Sequence, residues 1–310
     1  MTHHVDDGAV WIGHEESSDA PRFVRDRATP FLIRRGFTQR KISRCYASAV
    51  RRITSRQNSV VARYRAAAAR DTDGIVLLDG AHLVQEALAA GVRLRHLIAS
   101  VEAMEDAAVA RLASQAEASG CDVAVATAPV MAAVSPVRSS SPVVALADRP
   151  SDGIRMYSAH APLIVVVSQV QDPGNVGAIA RVAEAAGASG MLVTEGSADP
   201  FGWKALRGSM GSSLRIPIAV HGRTEDAVEE ARKHGCRIAA LVPRGGRAPY
   251  DANLKQATAL IVGGEGQGLA ASLLKSADEQ LTIPMHAPVE SLNAAVSAAL
   301  VLYEARRQRN

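Results

Sequence analysis

The sequence predicts an α/β fold made of two successive sandwiches, and three observations carry that prediction. Short runs rich in valine, isoleucine and leucine alternate with stretches of helical periodicity from about residue 53 onward. The polar, Pro- and Gly-punctuated stretch 147–161 interrupts the alternation and suits a domain boundary. Late in the chain, the apolar run Ala259 to Val262 breaks abruptly into a loop with four glycines in six residues, Gly263, Gly264, Gly266 and Gly268. The division that follows is a basic extension over 1–50, a small α/β domain over 51–150 and a larger α/β domain over 160–310.

A chain of 310 residues holds about two domains with ample core in each. With 47% hydrophobic and 21% charged residues it reads as an ordinary globular protein. No apolar run approaches the roughly 18 residues of a membrane span, and no signal peptide is expected, so the cytoplasm is the expected compartment. Cys45, Cys121 and Cys236 are isolated and lack CxxC spacing, which indicates neither a disulfide framework nor a metal site.

The net charge of +4 is unevenly placed. Residues 1–56 hold eleven Lys/Arg against six Asp/Glu, a balance of +5, so the remainder sums to −1. Five of the six acids fall before Pro21 and the arginines run from Arg22 to Arg56. A disordered or partly ordered arm that grips RNA phosphates and a plain solvated tail both fit this pattern. A mitochondrial transit peptide fits less well, because Asp6, Asp7, Glu15 and Glu16 come first.

In the first domain the expected elements are helix 59–70, strand 75–78, helix 81–90, strand 94–99, helix 105–119, strand 122–126, helix 128–134 and a strand near 143–146. The chemistry here is thin. His82 and His96 have no partner at ligand spacing, and a structural role is the plainer reading.

The second domain opens with the continuous apolar run 163–167, a strand buried on both faces. It leads through Asp172 and Asn175 into a helix over 176–188, whose packed face is Val176, Ile179, Ala183 and Ala186. Asn175 stands where an N-cap belongs. Arg181 lies off the most apolar stripe and, alone, reads as a surface residue. Then come strand 191–194, a glycine-softened stretch bearing Lys204, Arg207 and Ser209, strand 216–220, helix 224–234 and strand 237–242. The loop 243–249 is expected to be mobile and to lie beside a ligand site.

The glycine loop fails the usual nucleotide patterns. Counting from Gly264 and Gly266, Leu269 stands where a dinucleotide fingerprint needs its third glycine, and no Gly-Lys-Ser/Thr follows. Glu265 within it suits a cationic or hydroxyl-bearing ligand better than a phosphate. After the loop come a short helix, a strand ending at Ile283-Pro284-Met285 and a helix over 291–308. The two strand-to-helix turns are expected side by side at the carboxyl edge of one sheet, where open α/β folds bind ligands.

Three segments together carry a resemblance: Asn175-x-Gly177-x-x-x-Arg181, then Gly263-Gly-Glu-Gly-Gln-Gly-Leu269, then Ile283-Pro-Met285 with Glu290-Ser-Leu-Asn-Ala-Ala295. Their order and content resemble the three motifs of the SpoU/TrmH RNA 2′-O-ribose methyltransferases of the SPOUT superfamily. The first domain is similar to the substrate-binding domain that precedes the catalytic domain in many of these enzymes.

The resemblance implies a SPOUT, or α/β-knot, catalytic domain whose C-terminal part is threaded as a trefoil knot. It implies S-adenosylmethionine as cofactor, held by Gly263, Gly264, Gly266, Gly268, Ile283, Pro284, Met285 and Leu292. It implies that Arg181 orients the ribose hydroxyl, that Asn175 and Glu265 hold Arg181 or the substrate, and that Ser291 and Asn293 orient acceptor and loops. Ser291 also fits an N-cap of the last helix. Arg56 and Asn58 are similar to RNA contacts of the first domain, although a helix cap explains Asn58 equally. Lys204, Arg207 and Ser209 match a stretch that lies near RNA in the family. A homodimer is implied, while the stripe Leu292, Val296, Ala299, Leu300 and Tyr303 on the last helix also fits a monomer's core face. Ribosomal RNA is the favoured substrate; tRNA, a base-methylating SPOUT enzyme and a non-catalytic RNA-binding homologue are the alternatives.

Overall fold

The computed structural model describes residues 50–70, 72–151, 153–264 and 268–310. Glu265, Gly266 and the extension before residue 50 lie outside the described residues.

The first sandwich comprises β1 (Arg51–Ile53), α1 (Ser59–Ala69), β2 (Ile75–Asp79), α2 (Ala81–Ala89), β3 (Leu94–Ser100), α3 (Ala107–Ala118), β4 (Asp122–Ala126), α4 (Ala128–Val134) and β5 (Val143–Asp148). Local chemistry sets the helix starts. Asn58 accepts the Val60 N–H at 3.0 Å to cap α1, so its cap role is real, and Asp106 caps α3 through the Ala108 and Val109 N–H groups. The strand order is β1-β4-β3-β5-β2, with β5 antiparallel to both neighbours and the other pairs parallel. β1 is an addition to the expected elements, because three residues are too few to show a period.

His96 is a structural residue of β3. Its Nε2 accepts from Arg51 Nη2 at 2.9 Å, and Nδ1 shares a 2.8 Å hydrogen bond with the buried Tyr64 hydroxyl. Since arginine only donates, the ring is neutral with its proton on Nδ1. Burial pushes His96 down to about 4, against the opposing pull of the Asp122 carboxylate.

The second sandwich comprises β6 (Leu163–Ser168), α5 (Pro173–Ala186), β7 (Gly190–Thr194), α6 (Trp203–Ser209), α7 (Ser212–Arg215), β8 (Ile218–His221), α8 (Thr224–Lys233), β9 (Arg237–Leu241), β10 (Thr258–Gly263), α9 (Ala271–Ser276), β11 (Glu279–Leu281) and α10 (Ala294–Arg309). Six parallel strands run in the order β11-β9-β10-β6-β7-β8. All six residues of β6 are buried, as its unbroken apolar run requires.

Three expectations need correction. The strand before Pro284 stops at Leu281, because proline cannot donate to a ladder and holds Ile283 away from regular pairing. The turns after β10 and β11 are not adjacent, since β9 lies between those strands. The loop 243–249 is pinned: the Gly246 N–H donates to Thr282 Oγ1 at 2.9 Å, and the Arg247 N–H to the Gln280 carbonyl at 2.8 Å. The boundary segment is likewise held, forming a 3-10 turn at Gly153–Ser158 that buries Met156. A Cβ on Gly190 would meet Met156 Cβ at 2.4 Å, so only glycine lets β7 run beneath that turn.

One apolar cluster runs continuously from the first sandwich into the second. Ion pairs stitch the seam around it. Arg207 on α6 donates to Asp79 at 3.1 Å, and the Asp79 side chain is completely shielded from solvent. Ser135 Oγ donates to the other Asp79 oxygen at 3.0 Å. Arg215 bridges Glu86 of α2 and Glu184 of α5, and Arg149 grips Asp199 in a fork at 3.0 and 3.2 Å.

Candidate active site

A cavity of about 490 Å³ opens at the carboxyl ends of β9 and β10 and beside the chain that follows β11. Its walls are Leu241 to Pro243, Gly263, Gly264 and Gly268 with Leu269, Ile283 with Met285, and Glu290 to Leu292. The volume lies within the ~300–1,000 Å³ usual for small-molecule sites. Of the expected cofactor residues, Gly263, Gly264, Gly268, Ile283, Met285 and Leu292 line it. Pro284 is not on the wall; its ring restrains the backbone between two residues that are.

The glycines are there for contact as much as for turning. The Gly264 N–H donates to the Ser168 carbonyl at 2.9 Å, and a Cβ on Gly264 would sit 2.0 Å from the Gln169 carbonyl oxygen. Gln169 itself takes a left-handed φ of 57°. The end of β10 is thereby pressed against the turn that leaves β6.

That turn starts α5 earlier than expected. Asp172 is the N-cap, its carboxylate accepting the Asn175 N–H at 3.1 Å, and Pro173 occupies the first helical position, where a missing N–H does no harm. Asn175 is therefore not the cap, and its side chain is engaged elsewhere. Its Oδ1 accepts a hydrogen bond from Asn293 Nδ2 at 2.9 Å. Asn293 is the N-cap of α10, its own Oδ1 accepting from the Ala295 and Val296 N–H groups at 2.9 and 3.3 Å. The cap expected at Ser291 thus falls two residues later, and Ser291 stands on the cavity wall.

Arg181 is placed apart. Six residues beyond Asn175, it lies about 9 Å further along the helix and roughly 120° around it. It is exposed and, among the described residues, is not on the cavity wall. A single chain brings together Asn175, Ser291, Asn293 and the six cofactor residues on the wall, and leaves Arg181 outside that group.

Ser209 is corrected as an RNA contact: it is fully buried, donating to the Leu206 carbonyl at 3.0 Å. The reason is α6 packing on α5, where a Cβ on Gly177 would lie 2.3 Å from the Ala205 carbonyl oxygen. Arg207 is tied to Asp79 but half exposed, while Lys204 and Arg56 are exposed. The sequence reading missed Val242 and Glu290 as wall residues. Glu290 belonged to a motif already singled out, but Val242 is found only through strand order. Glu290 also pairs with Arg244 at 3.1 Å across the mouth.

The last helix settles its stripe. Ala298, Val301, Leu302 and Ala305 face the core, whereas Val296, Leu300 and Tyr303 are 48%, 47% and 51% exposed. Of the two readings of that stripe, the monomer's core face does not hold, since these three residues lie on the outer side.

Comparison with known proteins agrees with this architecture. Residues 162–303 match the SpoU rRNA Methylase family, and 61–145 match the MRM3-like substrate binding domain. An uncharacterized tRNA/rRNA methyltransferase of Synechocystis sp. is 34% identical over 83% of this chain and 94% of its own. The 23S rRNA (guanosine(2553)-2′-O)-methyltransferase RlmP of Bacillus subtilis is 32% identical over 74% of this chain and 88% of its own. The crystal structure of an AdoMet-bound rRNA methyltransferase from Sinorhizobium meliloti superimposes with a TM-score of 0.73 at 29% identity, covering 83% of this chain and 98% of the other. With motifs, fold and relatives in agreement, the chain belongs to the SpoU methylase family.

Proposed function

We propose that this chain transfers a methyl group from S-adenosylmethionine to a ribose 2′-hydroxyl of RNA, with ribosomal RNA as the substrate. The observation that carries the reading is the Asn175–Asn293 hydrogen bond, which joins the first and third motifs beside a cavity walled by the second. The name of the Bacillus subtilis relative supports ribosomal RNA and a 2′-oxygen. The AdoMet-bound neighbour supports the cofactor.

The cavity suits that cofactor: its glycine backbone admits close approach, and Leu241, Ile283, Met285 and Leu292 offer apolar contact. Bound there, S-adenosylmethionine supplies an electrophilic methyl group on a sulfonium. The chain's own contribution is positioning. Asn175 and Asn293 fix the acceptor side, with Ser291 on the wall beside them. Arg181 orients the ribose hydroxyl and the adjoining phosphate and stabilises negative charge as the hydroxyl proton passes to solvent water and S-adenosylhomocysteine departs. Glu265 holds Arg181 or the ribose in this reading.

Arg181 stands off the cavity of its own chain, and α10 presents Val296, Leu300 and Tyr303 outward along one stripe. Both features support a homodimer in which each copy completes its partner's site. The reading also includes a trefoil knot in the C-terminal part, an N-terminal arm over 1–50, an RNA-binding domain over 51–150 with Arg56 and Asn58 among its contacts, a catalytic domain over 160–310 and a cytoplasmic location. Among the described residues, no helix is long and apolar enough to cross a membrane.

The test is methyl transfer from labelled S-adenosylmethionine to total RNA of cells lacking the protein, with the product nucleosides identified by mass spectrometry. A 2′-O-methylated nucleoside in ribosomal RNA is expected. A product in tRNA would move the substrate, and a methylated base would overturn the chemistry. Arg181→Ala should keep cofactor affinity while transfer falls about 10²–10³-fold; transfer at the normal rate would remove Arg181 from the mechanism.

A further inference from the structure

A second cavity, of about 470 Å³, lies at the seam between the sandwiches, between the end of α1 and the segments that follow β6 and β7. Arg70, Gln171, Asp199, Trp203 and Lys204 line it. Arg70 ends α1 in the left-handed region, at φ 65°, a position where glycine is the unstrained choice. Its side chain crosses the seam, with Cδ 3.9 Å from where a Cβ on Gly202 would stand. Lys204 carries its ammonium 5.4 Å from the centre of the Trp203 ring.

The charge balance selects the ligand. Asp199, the acid in the groove, is already taken by the Arg149 fork. Arg70 and Lys204 have no ion-pair partner among the described residues, so the unspent charge is positive. An indole and an amide side chain, Trp203 and Gln171, line the same space. Cations for a phosphate, an aromatic surface for a base and an amide for its edge are what an unstacked nucleotide needs.

Position adds to chemistry. β6 lies between β10 and β7, so the turn bearing Asn175 has the glycine-walled cavity on one side and this groove on the other. We propose that the groove binds one unstacked nucleotide of the RNA substrate flanking the methylated one, its base against Trp203 and Gln171 and its phosphate between Arg70 and Lys204. This rests on the RNA methyltransferase reading above.

The test uses the full chain and ribosomal RNA extracted from cells lacking the protein. Filter binding is measured as a function of salt for the wild type, the Arg70→Ala/Lys204→Ala variant and a control, Lys233→Ala, at an exposed position on α8. The paired variant should lose affinity about tenfold, and its log–log salt slope should fall by about two relative to the wild type. The control should match the wild type, and calorimetry should find S-adenosylmethionine binding equal in all three.

The chain has two tryptophans, so Trp11→Phe isolates Trp203, whose fluorescence should be saturably quenched by the RNA. An unchanged slope and affinity in the paired variant, or an unresponsive Trp203 in a protein that binds RNA, overturns the groove and leaves the enzyme reading standing. A wild type that binds no RNA overturns both.

Discussion

The Asn293 side-chain amide donates to Asn175 Oδ1 at 2.9 Å, linking the cap of the last helix to the first turn of α5 across 118 residues. The same Asn293 side chain uses its oxygen to cap its own helix, so its two halves serve two tasks. Aspartate would keep the cap and lose the donor. Asn293→Asp is expected to leave stability within about 0.5 kcal/mol, since the two residues cap equally well, while methyl transfer falls about ten- to a hundredfold through misplacement. Asn293→Ala should lose about 1 kcal/mol of stability as well. Urea melts alongside single-turnover methylation separate the two effects, and full activity in Asn293→Asp would show the link to be incidental.

The glycine loop offers a sharper contrast between neighbours. An alanine at 264 would drive its Cβ to 2.0 Å from a backbone oxygen that cannot move alone, whereas at 263 the nearest atom is the flexible Leu269 side chain at 3.1 Å. Gly264→Ala should weaken S-adenosylmethionine binding at least about tenfold and destabilise the fold by about 1–3 kcal/mol. Gly263→Ala should change each far less. Calorimetric titration of both variants decides the matter, and equal affinities would refute the close approach.

The seam ion pair is asymmetric. Asp79 is wholly enclosed and Arg207 half exposed, so removing the arginine strands a buried carboxylate, while removing the carboxylate charge leaves an arginine that water can solvate. Arg207→Ala should therefore destabilise by about 2–3 kcal/mol and Asp79→Asn by about 1 kcal/mol or less. Chemical denaturation at neutral pH gives the order, and a larger loss in Asp79→Asn would contradict it.

His96 sets an acid limit. Burial lowers its folded value to about 4, while the unfolded chain takes up the proton near 6.5. The unfolded state binds more protons between these values, so stability falls as the pH drops from about 6.5 to 4, by at most about 3 kcal/mol. Above that window this residue contributes no slope. Urea midpoints across pH 4–8 should show the decline, and His96→Gln should flatten it.

Much of the fold was legible because its signals are local. The run Leu163 to Val167 could only be a strand buried on both faces, and the start of α1 follows from Asn58. The motifs placed the cofactor wall, since glycines crowded by backbone leave a visible mark in sequence. The errors arose where one residue can do another's task. Asn175 has the chemistry of a cap, but Asp172 ahead of Pro173 takes that role earlier. The stripe Val296, Leu300 and Tyr303 stayed open between a core face and an outer one, because periodicity alone does not say which side of a helix meets its own chain. Val242 reached the site through the pairing of β9 with β10, a neighbourhood that no local pattern encodes. Ser209 looked like a surface hydroxyl beside charges until Gly177 let α6 press against α5.

The strand order has a consequence for the order of assembly. β10 completes the middle of the parallel sheet, between β6 and β9, yet it is among the last strands to be synthesised. Until it emerges from the ribosome, β6, β7 and β8 have only one another to pair with, and the edge of Leu163–Ser168 faces water with its full row of unpaired amides and its apolar side chains. Such long-range parallel closure is intrinsically slow. A nascent chain held short of residue 258 therefore carries an open, apolar parallel edge at β6, and insertion of one six-residue strand covers it.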